Sequence, residues 1–219
     1  MNVRCKVDTS KVQAAIKNLA PYVKKSRKEL VEQAARGFVK TVAEVTPPAS
    51  KGVTGSAAKK QGEASITRDL ARVMKAVRSS RTAQLQNAID IYKRFRDKNT
   101  GRINPRNLKN PYPVSAAEYN ALRKTLFARV GWLASGWNPA AKKLGVRLPA
   151  WIACHSGPGG IIPTNDGRRF RLEVTNAVKF VGSVKNYEGR ITKAVQYQAN
   201  AMQRQADYLL KKSVKQAGF

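Results

Sequence analysis

Cys154 and His155 come nearest to a catalytic pair by residue type, because an imidazole can activate a thiol as a nucleophile. His155 is the only histidine of the 219-residue chain. The run AWIACH at 150–155 predicts a strand, and adjacent residues of a strand point to opposite faces of the sheet. The pair is therefore predicted to be non-catalytic, with Cys154 a buried free thiol and His155 a surface or interface residue.

The carboxylates are too scattered for a magnesium-dependent nuclease, which needs several acidic ligands in one place. Asp166 and Glu173 come nearest to such a cluster, but the sequence offers no third member. Asp166 fits better in a turn at Asn165-Asp166-Gly167. The glycine-rich run 157–160 lacks the lysine and Ser/Thr of a phosphate-binding loop. We therefore expect no catalytic residue, no metal site and no cofactor, and the chain is not predicted to be an enzyme.

The strongest signal in the sequence is charge: 42 lysines and arginines oppose 13 aspartates and glutamates, a formal net charge of +29. Such a surplus favours nucleic acid or an acidic protein surface as partner. The candidate contact residues lie in the basic middle of the chain: Lys93, Arg94, Arg96, Lys98, Arg102 and Arg106. Tyr92 and Phe95 interleave with them, and core packing is the more natural role for both rings. Any contact with nucleic acid is expected to be to the backbone, through shape and charge.

The two cysteines, Cys5 and Cys154, lie far apart and fit neither a disulfide framework nor a zinc ligand set. No apolar run approaches the ~18 residues of a membrane span. The N-terminal sequence MNVRCKVD lacks the apolar stretch of a signal peptide. These features predict a protein that is made in a cytoplasm and does not bind membranes.

Hydropathy patterns and turn residues predict the elements. The first half is predicted to contain a strand at 2–7, a helical pattern at 12–45 interrupted at Pro21, a mobile loop at 47–64, a helical pattern at 65–96 broken near Ser79-Ser80, and a basic loop or arm at 97–114. The second half is predicted to contain a helix opened by a Ser115–Glu118 capping box, a helix that restarts at Asn138-Pro139, strands at 150–155 and 170–175, a return strand at 179–184, and an amphipathic helix from Tyr187 to about residue 215.

This order predicts an α+β fold, in which a small antiparallel sheet packs against long N- and C-terminal helices and a basic helical insertion lies in the middle. The core domain is predicted at 1–75 and 165–219. The insertion is predicted at 76–164 and includes the basic arm.

Several short motifs resemble the tail-completion, or neck, proteins of long-tailed bacteriophages. They are Val45-Thr46-Pro47-Pro48, Gly55-Ser56, Val174-Thr175-Asn176-Ala177-Val178 and the helix after Tyr187. The resemblance covers about 1–75 and 165–219, and the middle departs from it. It implies a virion structural protein at the head–tail junction, a homo-oligomeric ring around the DNA channel that touches neighbouring connector and tail proteins. It implies nonspecific contact with genomic DNA and no catalytic residues, with assembly in the host cytoplasm.

A sequence-nonspecific nucleic-acid-binding protein is the alternative, because charge alone favours it almost equally. The spread of basic residues over every predicted helix favours the assembly role, since no single element gathers the charge. Both readings remain open at the level of sequence.

Overall fold

A computed structural model describes residues 10–19, 27–50, 52–78, 85–98, 102–105, 108–165, 170–184 and 186–216. The strand expected at 2–7, the interruption at Pro21, the break at Ser79-Ser80 and the turn at Asp166-Gly167 lie outside these residues, as does Cys5. The chain is α+β, as the sequence predicts, and it divides into two compact units. Unit 1 comprises Met1–Thr46 and Leu133–Phe219, and unit 2 comprises Pro47–Trp132.

Unit 1 contains the long N- and C-terminal helices and a two-stranded antiparallel sheet. Its elements are α1 (Ser10–Leu19), α2 (Arg27–Val45), a 3-10 turn (Ala134–Trp137), α6 (Asn138–Leu144), α7 (Ala150–Ala153), β3 (Gly159–Asn165), β4 (Phe170–Asn176), a 3-10 turn (Val181–Ser183) and α8 (Tyr187–Gln216). Strands β3 and β4 pair from Gly159 opposite Asn176 to Asn165 opposite Phe170.

The closing helix α8 has one buried stripe, which holds the helices of unit 1 together. Ile191 and Ala194 join the core formed by α2, α6 and the sheet. Met202, 1% exposed, packs in a second cluster with Ile16 of α1 and Leu30 of α2. The predicted apolar stripe of this helix is confirmed, and it packs against the two N-terminal helices of the same chain.

In the described residues of unit 2, three helices pack around a short parallel sheet. Its elements are α3 (Gly55–Val73), β1 (Met74–Val77), α4 (Ala88–Phe95), β2 (Tyr112–Ser115) and α5 (Ala116–Phe127). Strand β1 pairs with β2 in parallel, from Met74 opposite Tyr112 to Val77 opposite Ser115. The core of the unit includes Leu70, Ile91 and Leu122, one from each helix.

The unit boundaries differ from the expected ones at residues 75 and 165. Helix α3 packs on α4 and α5, which places residues 55–73 in unit 2. Residues 133–164 belong to unit 1, because Trp137 and Ile152 lie in the core that α2 and α8 share. The insertion is thus a compact unit with its own core, and it begins where α2 ends.

The prediction of a mobile loop at 47–64 is wrong. A tight turn is closed by reciprocal backbone hydrogen bonds between Ser50 and Val53, each 3.0 Å, and α3 begins at Gly55. The small residues that favoured a loop allow close packing, because a Cβ at buried Gly62 would crowd Pro48. The expected helix at 65–96 is interrupted by β1, which needs β2 as a distant partner.

Three expectations for the second half are also wrong. Residues 150–153 form the short helix α7 behind Pro149, since a short apolar run does not separate helix from strand. Residues 179–184 turn through a 3-10 segment and do not return as a strand. Ser115 makes no side-chain capping bond, although α5 does start at Ala116. Strand β4, the start of α6 at Asn138 and the long helix α8 are confirmed.

Buried polar side chains converge on residues 133–138 of unit 1. The indole N–H of Trp137 donates to Thr46 Oγ1 at 3.2 Å, and Asn176 Nδ2 donates to the carbonyl of Leu133 at 2.9 Å. Asn138 Nδ2 donates to the carbonyls of Ile152 at 3.0 Å and His155 at 2.7 Å. Thr46 and Asn176, which lie in the motifs at 45–48 and 174–178, therefore both have a structural role in unit 1.

Candidate basic interface

The candidate contact residues lie at the end of α4 and on the segment that follows it. Lys93 and Arg94 occupy the last turn of the helix, where its negative dipole end favours cations. Lys93, Arg94, Lys98 and Arg102 are exposed and Arg96 is half-buried. Arg106 lies outside the described residues.

The chain folds back after α4 as a short antiparallel pairing. Arg96 bridges Ile103, the amide of Asp97 donates to the carbonyl of Arg102 at 2.8 Å, and the amide of Asn104 donates to the carbonyl of Phe95 at 2.8 Å. Where the structure describes the expected loop at 97–114, residues 102–104 pair with residues 95–97, and residues 112–114 lie in β2. We call Lys93, Arg94, Arg96, Lys98 and Arg102 the α4 basic cluster.

Two arginines of the α4 basic cluster lie over aromatic rings of unit 2. The guanidinium of Arg94 is 5.7 Å from the ring centroid of Tyr112, and that of Arg96 is 5.7 Å from the centroid of Tyr92. Phe95 contacts Tyr112 at a centroid distance of 5.9 Å. The rings pack against the unit 2 core, so the interpretation of Tyr92 and Phe95 as core residues is confirmed. Sequence reasoning missed Tyr112, whose place beside Arg94 depends on the β1–β2 pairing.

A dense cap fixes the start of α4 and thus the direction in which its basic end points. Asn87 Oδ1 accepts from the amides of Ile89 at 2.9 Å and Asp90 at 3.2 Å. Glu118 of α5 accepts from the amide of Ala88 at 3.2 Å. Glu118, the last residue of the predicted capping box, therefore caps α4. Together these bonds satisfy three N–H groups that the first turn of a helix leaves without partners.

Some basic residues have structural roles and should be set apart from the α4 basic cluster. Arg190 donates to the carbonyl of Val45, the last residue of α2, at 2.7 Å. Arg36 donates to the carbonyl of Leu144, the last residue of α6, at 2.9 Å. Each arginine satisfies a helix C-terminal carbonyl and complements the helix dipole. Their loss would destabilise unit 1 before it affected any ligand.

The Cys–His pair is arranged differently from the sequence expectation. Cys154 is exposed at the end of α7, which overturns the buried thiol. His155 is half-buried, and its carbonyl accepts from Asn138. Glu173 is exposed on β4. Across the described ranges, no three His, Cys, Asp or Glu residues gather closely enough to hold a metal ion.

A shallow cavity of about 310 Å³ lies in unit 1, lined by Lys40, Glu44, Arg147, Leu148 and Pro149. Its charged groups are two cations and one carboxylate, and its wall carries no thiol, hydroxyl or imidazole. Within the part of the chain that the structure describes, no helix is both long and apolar enough to cross a bilayer. The α4 basic cluster therefore remains the candidate site. Comparison with family models, with curated proteins and with solved structures gives no match for this chain.

Proposed function

We propose that this chain is a non-enzymatic assembly protein whose basic surfaces bind acidic protein neighbours. We further propose that it serves as a virion structural subunit at the head–tail junction of a phage, in a homo-oligomeric ring around the DNA channel. The phage assignment depends on the resemblance of the two ends of the chain to neck proteins.

The observation that carries the proposal is that both units share the surplus of charge. Unit 1 has 24 lysines and arginines against eight aspartates and glutamates, and unit 2 has 18 against five. Even if every carboxylate faced a cation, 29 positive charges would need counterions or partners. A ring subunit turns only one side to the channel, so charge on both units favours acidic protein neighbours in addition to DNA.

The carboxylates themselves support this proposal. Glu32 pairs with Arg36 at 3.9 Å and Glu63 pairs with Lys59 at 3.7 Å, in each case one turn away on the same helix. Ion pairs between residues four apart on one helix contribute only about 0.3–0.5 kcal/mol each. The segment from Lys93 to Arg102 holds five cations and one carboxylate, Asp97, among the described residues, so the α4 basic cluster keeps a net positive charge.

The α4 basic cluster is also suited to the alternative, a sequence-nonspecific nucleic-acid-binding protein. An arginine keeps its in-plane N–H donors when its face meets a ring, and these match carboxylate and phosphate equally well. The rings of Tyr92 and Tyr112 lie beneath guanidiniums and against the core. The cluster is therefore suited to bind a partner by charge and not by base stacking. Specificity must therefore come from the geometry of the acidic partner.

A quadruple charge variant separates the two functions. Lys93, Arg94, Arg96 and Lys98 are changed to Gln, and a control variant changes Lys11, Lys17, Lys142 and Lys143, which are exposed in unit 1. Binding of oligoglutamate and of duplex DNA is titrated at two salt concentrations. The proposal predicts that the α4 variant loses oligoglutamate binding and that its loss of DNA affinity is no larger than that of the control.

The opposite result would favour the alternative, a sequence-nonspecific nucleic-acid-binding protein. A large loss of DNA binding confined to the α4 variant, with a salt slope smaller by about 0.9 per lost phosphate contact, would assign the cluster to duplex DNA. Unchanged oligoglutamate binding in that variant would contradict the proposal that the α4 basic cluster binds acidic protein.

A further inference from the structure

Helix α8 carries a second surface, on the side opposite its buried stripe. Tyr197 is 60% exposed and Tyr208 is 65% exposed, the highest values among the large hydrophobic side chains of the described residues. The buried stripe fixes this orientation, since Ile191 and Met202 are held in the two cores of unit 1. Both rings therefore stand free of the unit 1 cores, on a helix whose orientation is fixed.

The exposed tyrosines alternate with cations along one line of α8. At about 100° per residue, Lys193, Tyr197, Arg204, Tyr208 and Lys211 fall within a wedge of about 60°. All five are exposed, and we call them the α8 stripe. At about 1.5 Å rise per residue, the two tyrosines lie roughly 16 Å apart along the axis, with Arg204 between them. Asp207 flanks the stripe, and its Oδ1 accepts from Gln203 Nε2 at 2.9 Å.

The composition of the α8 stripe favours a partner with negative charges and aromatic bases over a protein partner. Protein interfaces are enriched in tyrosine and arginine but depleted in lysine, whereas the stripe has a lysine at each end. It contains no aliphatic side chain, and an apolar partner helix would need one for packing. Aromatic rings interleaved with cations are the arrangement that binds single-stranded nucleic acid, with bases on the rings and phosphates on the cations.

We infer that the α8 stripe binds single-stranded nucleic acid. Tyr197 and Tyr208 stack on bases, and Lys193, Arg204 and Lys211 neutralise the phosphates between and beside them. At about 3.4 Å per stacked nucleotide, the distance between the rings spans about five nucleotides, within the usual site size of 4–16. A duplex keeps its bases inside, so the rings distinguish a single strand from a duplex. The inference does not depend on the assembly role or on the α4 basic cluster.

The test uses the full chain and a fluorescently labelled oligothymidylate of about 15 nucleotides, a length that covers one such site. A duplex of equal length is titrated in parallel. Replacing both tyrosines by alanine should weaken single-strand binding at least about fivefold per ring and leave duplex binding unchanged. The matched control, Tyr197→Phe with Tyr208→Phe, keeps both rings and should bind like wild type. Arg204→Ala should reduce the single-strand salt slope by about 0.7.

Both tyrosines are mostly exposed, so the alanine variant should melt like wild type, and the single variants Tyr197→Ala and Tyr208→Ala provide the same test if it does not. Single-strand affinity that survives both alanine changes would overturn the inference. An equal loss for duplex and single strand would also overturn it, because stacking would then have no part. Oligoglutamate binding that depends on the two rings would assign the stripe to an acidic protein instead. Failure here would leave binding at the α4 basic cluster untouched, so the two proposals fail separately.

Discussion

The indole N–H of Trp137 donates to the hydroxyl of Thr46, 3.2 Å away, and both side chains are almost fully buried. The same hydroxyl donates to the carbonyl of Val42 at 2.7 Å, so it joins the last turn of α2 to the 3-10 turn before α6. Ninety-one residues separate the two partners in sequence. The bond is therefore a direct reporter of how the two segments of unit 1 close on one another.

Thr46→Val should destabilise unit 1 by about 1–3 kcal/mol, because the buried indole N–H would lose its acceptor. Thr125→Val is a matched control, since Thr125 makes the same hydroxyl bond to the carbonyl four residues earlier but is exposed. The control should change the free energy of unfolding by less than about 0.5 kcal/mol. Urea denaturation of both variants measures the difference, and equal midpoints would refute the role of Thr46.

Gly136→Ala should destabilise unit 1 by about 1–3 kcal/mol, because its new Cβ would overlap the side-chain amide of Asn176. That amide also donates to Leu133, so the overlap would disturb a buried hydrogen bond. Gly160→Ala is the control, since a Cβ there would meet Thr175 Oγ1 at an ordinary 3.5 Å. Thermal melting compares the two, and a stable Gly136→Ala protein would show that the contact can relax.

Met202→Asp should cost at least about 3 kcal/mol, because it places a carboxylate in the apolar cluster that contains Ile16 and Leu30. Asn200→Asp is the control on the exposed side of the same helix, and it keeps the acceptor that Gln196 uses. Only the buried change should shift the denaturation midpoint. Wild-type stability for Met202→Asp would mean that α8 does not pack on α1 and α2.

Cleavage by trypsin after Lys59 and Lys60 should be slow in the folded chain, because both residues lie inside α3. A free peptide of residues 47–64 provides the control and should be cut rapidly, since protease access requires an extended backbone. A time course followed by mass spectrometry gives both rates. Equal rates would mean that residues 47–64 form the mobile loop predicted from the sequence and not the start of α3.

Hydrophobic periodicity predicted the helices and strands that bury one face and expose the other. The four- and seven-residue spacing of Ile191, Val195 and Met202 marks α8, and the alternation of Phe170, Leu172 and Val174 marks β4. The pairing of β1 with β2 could not be predicted. Its four residues, Met74–Val77, have no alternation of their own, and the pairing depends on a segment much later in the chain.

The same limit applies to the candidate site. The density of charge in the sequence identified the α4 basic cluster, whereas the placement of Arg94 over Tyr112 follows from tertiary structure. Small residues misled the prediction at 47–64, since alanine and glycine are equally common in loops and in closely packed helices such as α3. The α8 stripe had a signal in the sequence, the helical spacing of Tyr197, Arg204 and Tyr208, but its exposure required knowledge of the buried side.

The mass of the purified, nuclease-treated chain in solution tests the assembly proposal most directly. Sedimentation or light scattering is measured at near-physiological salt, first alone and then with added duplex DNA. The proposal predicts a closed oligomer of fixed copy number without DNA, because subunit contacts and not DNA hold the ring together. A monomer that gains mass only when DNA is added would contradict it and favour the nucleic-acid-binding alternative.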